Sequence, residues 1–203
     1  MQDTYDYRQY DRVWQRVSPT LAPYPGAEGG AHVPPAALPA GPRPGPARLQ
    51  PETALPGAEA DPCCMGSAAM EMVGVMQGFI EEELADRRYA LAFSRQAPGW
   101  ARQTLLDIAG DEAAHARRLM AAYYLITGQC YRPAVSCESI RVGALCPALR
   151  TRYHAEVCGG LNYARAADGT TDICLTKLFN ELSADEYRHA ERLMTLLERG
   201  MRR

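Results

Sequence analysis

The sequence predicts an all-α protein: a four-helix bundle of two repeated antiparallel helical hairpins, behind a Pro/Gly-rich N-terminal tail expected to be disordered. Two observations predict it. Four stretches space their apolar residues by three, four and seven, the period of a helix with one buried face. The second half of the chain also repeats the first. Glu82, Tyr89, Asp111, Glu112, His115 and Arg118 recur, at one offset of 74, as Glu156, Tyr163, Asp185, Glu186, His189 and Arg192.

Turn signals divide each repeat into two helices. Halfway between Glu82 and Glu112 lies Ala97, followed by Pro98-Gly99. Halfway between Glu156 and Glu186 lies Thr171, after Asp168-Gly169, with Thr170 and Thr171 as expected caps of the next helix. Antiparallel helices of equal rise bring residues equidistant from the turn to one depth.

In chain order, residues 1–62 hold twelve of the fifteen prolines, too little apolar surface to offset the entropy of ordering. They read as a flexible tail. Its crowded start (Tyr5, Tyr7, Tyr10, Trp14, Val17) leaves a docking segment as the alternative. The bundle is expected over residues 63–203. Its first helix is expected from Ser67 to Gln96, with Val75, Phe79, Glu82, Tyr89 and Phe93 in one stripe. The second runs from Trp100 to Thr127, with Leu105, Ile108, Glu112, His115 and Leu119 on one face and Gly128 as its stop. Residues 129–143 form the one long link. The third helix covers Ala144 to Ala167 with Leu149, Glu156 and Tyr163 in line, and the fourth Asp172 to Arg199 with Leu175, Phe179, Leu182, Glu186 and His189.

Polar residues inside apolar stripes carry the chemistry. Glu112-x-x-His115 and Glu186-x-x-His189 each put a carboxylate and an imidazole on one helix face. Glu82 and Glu156 lie at the same depth on the partner helices, so four carboxylates and two imidazoles converge. Four ionised carboxylates together lose hydration at a cost of several kcal/mol per ion. Two divalent cations bring the matching charge. Oxygen-rich donors with one imidazole per metal suit iron, with manganese as the alternative, better than zinc. Glu81 and Glu83, off this register, read as solvated charges, and His154, about 200° round the helix from Glu156, as no ligand. His32 lies in the tail and is given no role. Tyr89 and Tyr163 are candidate donors to the carboxylates, and Asp111 and Asp185 candidate partners for an imidazole on another helix.

The set Glu82, Glu112-x-x-His115, Glu156, Glu186-x-x-His189 resembles the ligands of the ferritin-like di-iron carboxylate proteins. The stretches 82–89 and 112–119 look most like rubrerythrin, and the resemblance covers about residues 66–200. It implies a ferritin-like crossover between the second and third helices. It also implies Glu112 and Glu186 as bridging ligands, with Glu82, Glu156, His115 and His189 each on one metal. The implied function is a di-iron oxidoreductase reducing peroxide or dioxygen, as in rubrerythrin, or oxidising ferrous iron, as in ferritins. Two departures stand out. Gly159 occupies the place where rubrerythrins usually carry an additional glutamate, and no rubredoxin-like Cys-x-x-Cys occurs, so electrons would come from a separate donor protein. A non-catalytic metal-binding structural or assembly protein is the alternative.

A net charge of −2 gives no reason to expect nucleic acid or an anionic membrane surface. A single lysine, Lys177, stands among many arginines, which reads as coding bias. No apolar run reaches a membrane span, and the acidic, tyrosine-rich start does not resemble a signal peptide. A cytoplasmic protein is expected, with its seven cysteines mostly reduced and unpaired. Whether it forms a homo-oligomer is left open.

Overall fold

The computed structural model describes residues 61–134 and 139–202. The expected tail, with its aromatic start and His32, lies outside the described residues apart from Asp61 and Pro62, as does Cys137. Four α-helices are present among the described residues: α1 Val73–Gln96, α2 Gly99–Thr127, α3 Leu145–Gly169 and α4 Ile173–Met201. None is long and apolar enough to cross a membrane.

The first helix starts later than its periodicity suggests. Ser67–Met72 is a 3-10 turn. Asp61 accepts from both the backbone N–H and the hydroxyl of Ser67, which holds the chain in a tight entry bend. Gly128 ends α2 at φ 66°, the left-handed conformation that glycine adopts at little cost. At the start of α4 the cap is Asp172, not the expected Thr170 or Thr171. Its carboxylate accepts from the Leu175 N–H at 2.9 Å, and caps of this kind contribute about 0.5–2 kcal/mol.

The helices pack as pairs, α1 with α2 and α3 with α4. Apolar side chains sort into two clusters that fix how the pairs meet. One joins the first half of α1 (Val75, Phe79), the end of α2 (Leu119), the end of α3 (Tyr163) and the first half of α4 (Phe179). The other joins the end of α1 (Phe93), the first half of α2 (Leu105), the start of α3 (Leu149) and the end of α4 (Leu193). Each pair is therefore an antiparallel hairpin, and α1 runs parallel to α4. Between the two clusters lies a layer of buried polar side chains at mid-height.

This arrangement puts the end of α2 and the start of α3 at opposite ends of the bundle. A helix of 29 residues is about 43 Å long, so a turn of a few residues could not make the connection. Residues 128–144 can, and their packing agrees. Tyr131 lies against the first cluster and Val142 against the second. The Tyr131 hydroxyl also donates to Glu81, which is thus held by the crossover instead of standing in solvent.

The cysteines are expected from the sequence to be mostly reduced and unpaired, and two of them are not. Cys64 and Cys174 form a disulfide, with Cα atoms 5.5 Å apart. Cys63, Cys130, Cys146 and Cys158 are not disulfide-bonded. The bond ties the 3-10 entry to the first turn of α4, where Met65 N–H also donates to Asp172 Oδ2 at 2.6 Å. A cross-link over 110 residues removes about 4–5 kcal/mol of unfolded-state entropy in the chain-entropy model. Reduction should therefore lower the melting temperature by on the order of 10 °C. Thermal unfolding with and without a thiol reductant checks this, and Cys64→Ser/Cys174→Ser should behave as the reduced chain.

Candidate metal centre

Each helix delivers its part of the polar layer from an apolar stripe. α1 supplies Glu83, α2 Glu112 and His115, α3 Glu156, and α4 Glu186 and His189. All six are between 1% and 5% exposed. They form two groups: Glu83, Glu112, His115 and Glu186, then Glu112, Glu156, Glu186 and His189. Within each group one donor atom per residue lies within 4.8 Å of the others. Glu112 and Glu186 belong to both.

Glu82, the expected ligand of the first helix, is in neither group. Glu83, read from sequence as a solvated charge, takes that place. The turn lengths explain the slip. Two residues separate α1 from α2, and three separate α3 from α4. Counting back thirty residues is right for Glu186 and Glu156 but one too many for Glu112. One residue is about 100° of helix, enough to turn Glu82 off the inner face. His154 lies outside both groups, against Tyr153.

The distances are those of converging donors. His115 Nδ1 is 3.3 Å from Glu83 Oε2, 3.3 Å from Glu112 Oε2 and 3.2 Å from Glu186 Oε1. His189 Nδ1 is 3.3 Å from Glu112 Oε1 and 3.6 Å from Glu156 Oε2. Donors bonded to one divalent ion at about 2.0–2.2 Å are themselves about 3.0–3.5 Å apart. These same inward atoms (Glu83 Oε2, both oxygens of Glu112, Glu156 Oε2, Glu186 Oε1 and both Nδ1 atoms) are buried without a hydrogen-bond partner. An unsatisfied buried polar atom costs about 1–3 kcal/mol, and seven at one point is a cost that a bound cation would remove.

The outward atoms, by contrast, are held. His115 Nε2 is 3.3 Å from Asp185 Oδ2 and His189 Nε2 3.2 Å from Asp111 Oδ2, each aspartate belonging to the other hairpin. An Nε2–H donated to aspartate leaves the Nδ1 lone pair pointing inward, the tautomer a metal requires. Tyr163 donates to Glu83 Oε1, and its ring is fixed by Phe79 at 4.2 Å and Phe179 at 6.2 Å. Tyr89 is placed differently. It stacks edge-on with Phe93 and lies under the Arg152 guanidinium at 5.5 Å. Glu156 Oε1 instead accepts from Arg152, which also donates to Asp86 Oδ1 at 2.6 Å. Arg152 was not anticipated from the sequence, although its place four residues before Glu156, on the same helix face, was a usable signal.

Comparisons with protein-family models, curated proteins and solved structures found no match.

The donor set itself shows how the charges are arranged. Burial opposes charge on the imidazoles, but the facing carboxylates of Glu112, Glu186 and Glu83 outweigh it and push His115 up to about 12. Glu112 and Glu156 likewise push His189 up to about 10 against its burial. Burial, reinforced by the charge on Glu112, lifts Glu83 and Glu186 well above the usual carboxylate range. Burial also opposes ionisation of Glu112 and Glu156, yet both sit below their ordinary values. The two histidines hold Glu112 down, and Arg152 foremost holds Glu156 down. Burial and the Glu83 charge raise Tyr163, which keeps its phenol protonated as a donor. Without metal, the layer thus favours the protonated forms of Glu83, Glu186, His115 and His189.

Gly159 faces this layer from α3. A Cβ there would stand 3.3 Å from Glu186 Oε2, so the absence of a side chain leaves room for that carboxylate.

Proposed function

We propose that the polar layer binds two divalent metal ions, iron or manganese, shared by Glu112 and Glu186. Glu83 and His115 would complete one position, Glu156 and His189 the other. The observation that carries this is the set of seven inward donor atoms, buried and unsatisfied, at spacings of 3.2–3.6 Å. Four carboxylates against two divalent ions give a neutral core, and the absence of cysteine from the set disfavours zinc.

From this centre we read the protein as a di-iron oxidoreductase, with a bundle of ferritin-like kind whose two hairpins repeat one unit. It would reduce peroxide or dioxygen, or oxidise ferrous iron, using electrons from a separate donor protein. A paired iron centre would supply two-electron exchange with such an oxidant. The chain's own residues do the rest. Glu112 and Glu186 hold the two positions together, Asp111 and Asp185 fix the imidazoles, and Tyr163 and Arg152 keep one oxygen of each terminal carboxylate turned away. The two apolar clusters above and below exclude water from the layer.

One observation favours a second reading. All six donors are at least 95% buried, which also suits a non-catalytic protein whose metal pair fastens the bundle. Stopped-flow mixing of the anaerobic iron-loaded protein with peroxide, and separately with dioxygen, decides between them. The oxidoreductase reading expects oxidation faster than that of free ferrous iron under the same conditions. No acceleration with either oxidant leaves the structural reading.

A further inference from the structure

The two hairpins place matching ligands at the centre, but not matching supports. Both terminal carboxylates present Oε2 inward and have Oε1 held from behind. The holder of Glu83 is the neutral phenol of Tyr163, and the holder of Glu156 is the guanidinium of Arg152. Arg152 is deep in the bundle, with 9% of its side chain exposed, so solvent screens its charge little. Its second partner, Asp86, accepts at 2.6 Å and has 36% of its side chain exposed, so Glu156 holds the more buried end of the guanidinium. The terminal carboxylate of the Glu156/His189 position is therefore held by a guanidinium shared with Asp86, and that of the Glu83/His115 position by a neutral phenol. A phenol donor leaves a carboxylate free to give its charge to a cation. A guanidinium competes for that charge directly.

We infer that Arg152 is a positioning residue that makes the two metal positions unequal, so that the Glu83/His115 position fills first and the Glu156/His189 position second and more weakly. This rests on the two-metal reading above. Changes to groups that hold metal ligands typically alter affinity by about 10–100-fold, so the two steps are separated by about tenfold or more. Filling in order would leave one exchangeable ion beside one that is retained, a distinction that the matching ligand sets alone do not provide.

The test is an anaerobic titration of the full chain with Co2+, followed by calorimetry and by visible absorption. Wild type should show two steps. His115→Ala should remove the tight step and His189→Ala the weak one, both read with Arg152 in place. Arg152→Gln keeps an N–H donor for Glu156 but removes the charge, and should tighten the weak step about tenfold while leaving the first unchanged. Arg152→Lys, which keeps the charge, should hold the wild-type gap. The inference is overturned if His115→Ala removes the weak step, or if Arg152→Gln moves neither step or both alike, while two ions still bind. Wild type that takes up no Co2+ overturns the two-metal reading and this inference with it.

Discussion

Loading the metal-free protein with ferrous or manganous ions raises its melting temperature, and the gain widens as pH rises from about 5 to about 9. The sign follows from the protons the site holds. His115 and His189 are raised in the folded chain, to about 12 and about 10. The stability they give is complete below the unfolded histidine value, near 6.5, and is lost as pH climbs toward the folded values. Glu83 and Glu186 are raised as well, so their contribution also falls once pH passes the unfolded carboxylate range. Glu112 and Glu156 are lowered, so what they contribute is present above that range and lost in acid. The metal-free fold is thus most stable near the unfolded carboxylate value, about pH 4.5, and weakens from there toward pH 9. Metal competes with protons for these raised groups, so loading is resisted in acid and favoured in base. Each ion present at about 1,000 times its Kd adds about 4 kcal/mol, or on the order of 10 °C. Thermal unfolding of both forms across this pH range checks the trend, and a gain that shrinks with rising pH contradicts it.

The second large effect separates neighbouring residues. Glu83→Gln should take the metal content from two ions per chain to one or none, whereas Glu82→Gln should leave both bound. In the metal-free protein Glu83→Gln should act in the opposite sense, raising the melting temperature. Burial and the neighbouring Glu112 charge disfavour an ionised Glu83, and a neutral amide removes that cost. The Gln oxygen can still accept from Tyr163, so the substitution keeps that contact. A variant that binds less metal but is more stable without it is the pattern of a site kept for binding at the expense of the fold. Metal analysis with parallel unfolding of metal-free samples reads both signs. Loss of metal in Glu82→Gln with retention in Glu83→Gln would reverse the assignment.

These two glutamates also show where the sequence stops being informative. Glu112, His115, Glu186 and His189 were legible because an i, i+3 pair shares a helix face whatever the rest of the chain does. Glu156 was legible because its hairpin has the turn length that the count assumed. Glu83 was not: Pro98-Gly99 marks where the first hairpin turns but not how many residues it spends turning, and one residue rotates the inner face by about 100°. Of the two tyrosines expected to donate to carboxylates, one does so. Tyr163 reaches a carboxylate across the bundle, while Tyr89 points at Arg152 instead. Arg152 was passed over because arginine is seldom buried, and its burial depends on two acidic partners from different helices that converge only in the folded chain. The Cys64–Cys174 pair, 110 residues apart, carries no spacing signal at all. The four helices and the long crossover, by contrast, follow from periodicity and chain length alone.

The most direct test is the number of ferrous ions bound per chain at anaerobic equilibrium with excess free ferrous iron. Two ions per chain, falling to one or none in Glu112→Ala, is the expected result, because that carboxylate faces both histidines. A chain that binds no metal, or whose metal content is unchanged in Glu112→Ala, would show that these six side chains do not form a binuclear centre.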